Sequence, residues 1–365
     1  MFSFIHAADL HLDSPFGALP PMQAAARRRE SREIFSRLRD YVRSHRIDAV
    51  LLSGDLFDSA EVYKETLEQM ADALARTPAL IFIAPGNHDY FGPHSPWTEM
   101  EWPENVTIFN TGRMSAVEVP EWKAVFHGAA FTAPEQGSSF LAGFHVPEDG
   151  NAHIGILHGE VEPSQSRYDP IFREDIEKSG LHYLALGHIH KRGEPERCGK
   201  TLVAWPGCPE GRGFDELGEK GFYEGSVADD GSVELSFVPF ARRRYELLEV
   251  DLTGKEPLGA VLAALPENTE KDIYRILLRG ETGERGVELA ALREQLEERF
   301  YALELRDHTR LAEDIWSRSG EDSLRGMFLR ELYSRRETAE SQEEKERIDR
   351  AARFGLAALD HRDMI

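Results

Sequence analysis

Short apolar runs in the first 190 residues end abruptly in side chains that ligate metals, and this recurrence constrains the fold more than any other feature. FSFIHAA leads into Asp9 and His11, and DAVLLS into Gly54, Asp55 and Asp58. ALIFIAP leads into Gly86, Asn87, His88 and Asp89, HIGIL into His158, and YLAL into Gly187, His188 and His190. Runs this short and this rich in Ile, Val, Leu and Phe read as buried strands. Between the first two, residues 22–45 carry a helical stripe of Ala24, Ile34, Phe35, Leu38, Tyr41 and Val42. Residues 61–76 carry another, with Val62, Leu67, Met70 and Leu74. Strands alternating with helices predict an α/β sheet covered by helices. Ligands bind such sheets beyond the carboxyl ends of the strands, where all these polar clusters fall.

The pattern changes further along. TLVAWPG, GFYEGSV and VELSFVPF read as short strands completing the sheet as hairpins. A boundary follows near Arg242–Arg244, giving a first domain over 1–240. Residues 241–310 read strand, helix, strand, helix, strand, a small α/β domain. Residues 311–365 are helical and charged, with one stripe at Leu324, Met327, Phe328 and Leu332 and another at Ile348, Ala352, Leu356 and Leu359.

Composition narrows the setting. Two cysteines, Cys198 and Cys208, form no C-x-x-C pair, so neither a disulfide framework nor a thiolate metal site is expected. No apolar run is long enough to span a membrane, and the N-terminus lacks the basic and apolar regions of a signal peptide. The expected compartment is the cytoplasm. The net charge of −22 does not attract phosphate backbones. Nucleic-acid binding must therefore rest on a local site, on bound metal or on a partner.

The order D-x-H, G-D-x-x-D, G-N-H-D, a lone His and G-H-x-H carries the chemistry. Its donors are carboxylate and amide oxygen and imidazole nitrogen, a set suited to manganese, magnesium, iron or zinc. Two cations a few ångströms apart need a bridging carboxylate, and Asp55 is the natural one. Such a pair activates water at neutral pH and clamps the non-bridging oxygens of a phosphate. His88, next to a candidate ligand and within reach of Asp58, can supply a proton or positive charge to the leaving oxygen.

These motifs resemble the calcineurin-like metallophosphoesterases. HAADLHLDSPF and GDLFD look like the SbcD-type DNA repair nucleases, most of all their bacterial YhaO branch. WPGCPEGRGFDELGEKGFY at 205–223 is similar to the segment following G-H-x-H in that group. The resemblance implies a core of packed β-sheets flanked by helices, a small capping domain, and a helical tail that holds an SMC-like ATPase. It implies one metal on Asp9, His11, Asp55 and His190, and a second on Asp55, Asn87, His158 and His188. His88 would act at the leaving group, oriented by Asp58. Manganese is the implied metal, DNA the implied substrate, and a homodimer is compatible.

Two other readings stay open: a small-molecule phosphatase or cyclic-nucleotide phosphodiesterase, and a scaffold subunit of an ATPase complex. The remaining residues take blander readings. Asp89 braces its loop, with direct catalysis as the alternative. His6, His45, His127, His145, His153 and His182 are structural or surface residues. Tyr90, Phe91, His94 and Trp97 pack the loop or stack on a base. Arg212, Lys191 and Arg192 are solvated or touch phosphate, and Arg27–Arg29 and Arg242–Arg244 read as solvated helix face and strand end.

Overall fold

The computed structural model describes residues 1–365 apart from 60, 284, 285, 312–314 and 360–365. Two six-stranded sheets form its centre. In the first, Phe2–Ala7, Ala49–Leu52, Leu80–Ile83 and Val106–Ile108 run parallel. The hairpin Gly221–Val227 and Val233–Pro239 adds antiparallel to Phe2–Ala7. In the second, Ala124–Gly128, Ala152–His158, Tyr183–Gly187 and Thr201–Ala204 run parallel, with antiparallel edges at Ser115–Val119 and Glu196–Cys198. TLVAWPG and the later hairpin thus complete two different sheets.

The sheets bury one face against each other through Phe4, Leu51, Phe82, Phe126, Ile154, Ile156 and Tyr183. The other face of the first sheet lies under the helices Ile34–His45 and Lys64–Ala75, through Ile5, Val50, Ile81, Phe35, Leu38, Met70 and Leu74. That of the second packs Leu157, Leu184 and Leu186 against Ile176 of the helix Arg173–Ser179. Strands apolar on both faces are what a doubly covered sheet requires. The stretch read as one helix is two, Pro21–Arg32 and Ile34–His45, separated at Glu33. Proline opens the former, where its missing N–H costs no helical hydrogen bond. Arg27 is not solvated: it is fully buried, and its guanidinium donates to Glu30 at 2.7 Å and Glu210 at 2.9 Å. Arg242, Arg243 and Arg244 are likewise paired, with Glu33, Glu30 and Asp272.

Tyr245–Asp251, Ile273–Arg279 and Ala302–Asp307 form a three-stranded sheet in that order. The chain divides into two compact units. One comprises Met1–Leu248, Leu265–Ile276 and Arg293–Leu305, the other Glu249–Ala264, Leu277–Leu292 and Arg306–Ile365. The boundaries after Leu248, Ile276 and Leu305 fall within strands, that after Ala264 at the end of the helix Pro257–Ala264 and that after Leu292 within the helix Leu289–Leu296. The second unit contains the helices Leu324–Glu337 and Gln342–Leu359, which pack through Leu329, Phe328, Leu332, Ala352 and Leu356. Gly355 lets them meet, since a Cβ there would lie 2.1 Å from the Phe328 ring. The first tail stripe is only partly inward: Leu324 and Met327 are 68% and 62% exposed, while Leu329, outside the stripe, is buried. No helix among the described residues is long and apolar enough to cross a membrane.

Candidate metal centre

The polar clusters that end five apolar runs meet at one place, because the strands that deliver them are parallel and the sheets face each other. Asp9, His11, Asp55 and His188 all have positive φ, at 56°, 43°, 51° and 85°. Non-glycine residues rarely adopt this conformation, and its clustering is characteristic of functional sites. The loops are stitched so that it persists. Asp9 N and His11 N donate to the carbonyls of Gly54 and Asp55 at 3.0 Å each. His188 N donates to Asp9 Oδ1 and His88 N to Asp55 Oδ1, both at 2.9 Å.

Two glycines permit this closeness. A Cβ on Gly86 would sit 2.2 Å from Asp55 Oδ1, and one on Gly187 would sit 1.9 Å from the Ser53 carbonyl. The glycine of G-N-H-D therefore has a packing purpose that its sequence context does not reveal. Asp89 is fully buried and accepts from Gly86 N and Leu56 N at 2.7 Å each, tying two of the loops together. Trp97 is buried and donates its indole N–H to the Asp89 carbonyl, so it packs the loop and is not open to a base.

The imidazoles converge in three groups, one of them His11, Asp58 and His88 at the rim. Asp9, His11 and His190 offer donor atoms within 4.8 Å of one another, and so do Asp55, His158 and His188. His11 Nε2 faces His190 Nε2 at 3.1 Å. His158 Nε2 faces Asn87 Oδ1 at 3.0 Å and Asp55 Oδ2 at 3.3 Å, and His188 Nδ1 faces Asn87 Oδ1 at 3.2 Å. The opposite nitrogens are held from behind. His158 Nδ1 donates to the Ser53 carbonyl at 2.9 Å, His188 Nε2 lies 3.1 Å from Glu160, and His190 Nδ1 lies 2.8 Å from Glu216. His11 Nδ1 is the exception: it lies 3.2 Å from Asp58 Oδ1 without a hydrogen bond. Partners that accept from the outer nitrogens leave lone pairs on the inner ones.

Electrostatics divide the imidazoles: burial works to lower His158, but Asp55 and Asp9 push it up to about 9. Burial holds His11 and His188 down at about 4, hence neutral. Burial pushes the Asp9 carboxyl up to about 6, and its buried Oδ2 has no hydrogen-bond partner. Burial also works to raise Asp55, but His158, His11 and His88 hold it well below the usual carboxylate range. Imidazoles converging on carboxylates, an amide oxygen and an orphaned buried oxygen fit divalent cations.

His88 and Asp58 stand at the rim. His88 Nδ1 lies 2.8 Å from the main-chain carbonyl of Asp58, which only an N–H donor can satisfy. His88 is exposed, and its ring meets that of His11 edge-on at 4.8 Å. Asp58 thus holds His88 by its backbone, while its carboxylate faces His11 and accepts from Arg212 at 3.0 Å. The sequence reading missed Glu160, Glu216 and Ser53 as partners of the imidazoles. Only Glu160, two residues after His158, carried a local signal.

A model of the calcineurin-like phosphoesterase family matches residues 2–192. The chain belongs to the calcineurin-like metallophosphoesterases, hydrolases built around a dinuclear metal centre. It is 32% identical over 405 residues to an uncharacterized metallophosphoesterase, YhaO, of Bacillus subtilis (strain 168), covering 97% of each chain. It is 24% identical over 299 residues to a DNA double-strand break repair protein, Mre11, of Methanopyrus kandleri, covering 76% of this chain and 62% of that one. The Mre11 of Saccharolobus solfataricus is 25% identical over 247 residues, covering 64% of this chain and 62% of its own.

Proposed function

We propose that this chain is a two-metal phosphodiesterase that hydrolyses DNA, acting as an exonuclease in repair. One observation carries the reading: two groups of inward-facing donors flank Asp55, with His88 at their rim. Asp9, His11, Asp55 and His190 would hold one cation, and Asp55, Asn87, His158 and His188 the other, manganese being preferred. Bound there, the pair supplies Lewis acidity to water and to the phosphate oxygens. Asp55 would belong to both ligand sets, lying within 3.7 Å of His11 and 3.3 Å of His158. The Asp58 carbonyl fixes His88 through Nδ1, so that Nε2 is the atom that meets the leaving oxygen and hands it a proton.

The DNA assignment is supported by the two repair proteins, whose likeness runs well past the residues matched by the family model. The proposed organisation is a nuclease domain over 1–240, a capping domain over 241–310 and a tail over 311–365 that binds an SMC-like ATPase in the cytoplasm. The exposed Leu324, Met327 and Phe354 support the tail's role. A net charge of −22 favours a second reading, a phosphatase or phosphodiesterase of small molecules.

The test is degradation of an end-labelled DNA duplex with manganese, with magnesium and with chelator, beside hydrolysis of p-nitrophenyl phosphate esters. Manganese-dependent release of nucleotides, lost in Asp55→Asn, is the expected result. Ester hydrolysis without DNA cleavage, even when the ATPase is supplied, overturns the nuclease in favour of the small-molecule enzyme.

A further inference from the structure

Arg212 contributes to neither the proposed ligand set nor the proton transfer, yet it sits directly behind one half of the centre. Its side chain is only 18% exposed. Nη1 donates to Asp58 Oδ1 at 3.0 Å, while Nη2 and Nε donate to Glu216 Oε1 at 2.7 and 3.2 Å. Its main-chain N–H donates to Glu216 Oε2 at 2.8 Å, and Nη2 stands 2.9 Å from His190 Nδ1. The carboxylates it grips are the ones behind His11 and His190. One planar fork thus sets the outer partners of both imidazoles in a single group. The other half is held differently: His158 leans on the Ser53 carbonyl, and no cation among the described residues pairs with Glu160, which faces His188.

A cation in this position has two opposing effects. As a point charge it repels a metal ion and weakens binding. As a rigid fork it fixes Asp58 and Glu216, and through them the two imidazoles, which strengthens binding. Glu216 is 4% exposed, and without the guanidinium it would be a buried carboxylate left with His190 alone among its side-chain partners. We infer that Arg212 is a positioning residue that sets the affinity of the Asp9, His11 and His190 half of the centre for its divalent cation, by bracing Asp58 and Glu216 as one unit. This inference rests on the ligand assignment proposed above.

The test titrates the metal-free full-length chain with manganese, read by electron paramagnetic resonance. The free-ion signal counts ions bound, and spin coupling reports a neighbouring pair. The native chain binds two ions. Arg212→Lys keeps the charge and loses the fork. In this variant one ion is expected to bind as before and the other about 10- to 100-fold more weakly, with the coupled signal lost at two equivalents. Arg212→Ala shifts in the same direction. Thermal unfolding of each metal-free variant checks that it is folded, and Arg212→Lys carries the test if the alanine variant does not fold. Native-like binding of both ions by Arg212→Lys, or tighter binding by Arg212→Ala, overturns the inference while leaving the ligand assignment standing. Fewer than two ions on the native chain overturns the assignment, and the inference with it.

Discussion

The strand Ala152–His158 carries His153 near its start and His158 at its end, and Tyr183–Gly187 lies between His182 and His188. The same residue type thus occupies both ends of two neighbouring strands. At the carboxyl ends the imidazoles face shared carboxylates and an amide oxygen. At the amino ends they satisfy one another. His127 Nε2 lies 2.9 Å from His153 Nδ1, His153 Nε2 lies 3.0 Å from Asp149, and His153 N donates to His182 Nδ1 at 3.0 Å. The first arrangement has unmet demand for positive charge. The second is closed upon itself. What separates them is the partner of the second ring nitrogen, which decides whether an inward lone pair remains.

The comparison breaks most severely at Asp55. Asp55→Asn is expected to reduce manganese-dependent cleavage of labelled duplex DNA by more than about a thousandfold, beyond the 10- to 100-fold of changes behind the ligands. Residual turnover within tenfold of native would remove Asp55 from the centre. His88→Ala should lower cleavage by about 10²–10⁴ while leaving manganese stoichiometry at the native value, because the side chain moves a proton without holding an ion. If the variant loses an ion, His88 is a ligand instead.

Metal itself separates the two strand ends. Saturating manganese should raise the unfolding midpoint of the native chain, by about 2.7 kcal/mol in stability at a hundredfold excess over Kd, and chelator should reverse the rise. His158→Ala loses most of that rise and His153→Ala retains it in full. Equal behaviour in calorimetry would erase the distinction between the ends. His153→Ala should instead cost about 1–3 kcal/mol of baseline stability, since it leaves the buried His127 imidazole without its partner, with cleavage unchanged.

The smallest effect is one of pH. Burial, reinforced by His153, lowers His127 from 6.5 to about 4. Because the folded value lies below the unfolded one, the unfolded chain takes up the proton first. Stability from this site is complete above about 6.5 and drains away as pH falls towards 4. Urea midpoints of metal-free His127→Gln should therefore fall less between pH 7.5 and 5 than native midpoints do. Parallel slopes would show that His127 titrates freely.

Much of the centre was legible because each strand end pairs an abrupt apolar run with ligand residue types. The edge strand Ser115–Val119 and its neighbour Ala124–Gly128 carried no such ending and went unread. The break between the first two helices falls at Glu33, with no Gly or Pro to announce it. Arg27 shows the limit of reading charge as solvation: its carboxylate partner Glu210 lies 183 residues away. Glu216 is invisible for the same reason, since it meets His190 only across the folded segment between them. In the tail, helical spacing identified an apolar stripe, but the neighbouring segment Ile315–Gly320 packs with Leu329 rather than with Leu324.

The hydrogen bond from His188 N to Asp9 Oδ1 joins residues 179 positions apart. A chain emerging from the ribosome therefore carries Asp9, His11 and Asp55 long before it can assemble a centre with them. Contacts so distant in sequence form late, because the loop they close is long. Capture of an ion by the early motifs alone would lack the imidazoles that give the centre its shape. His158, His188 and His190 thus meet Asp9, His11 and Asp55 only where the second sheet packs on the first.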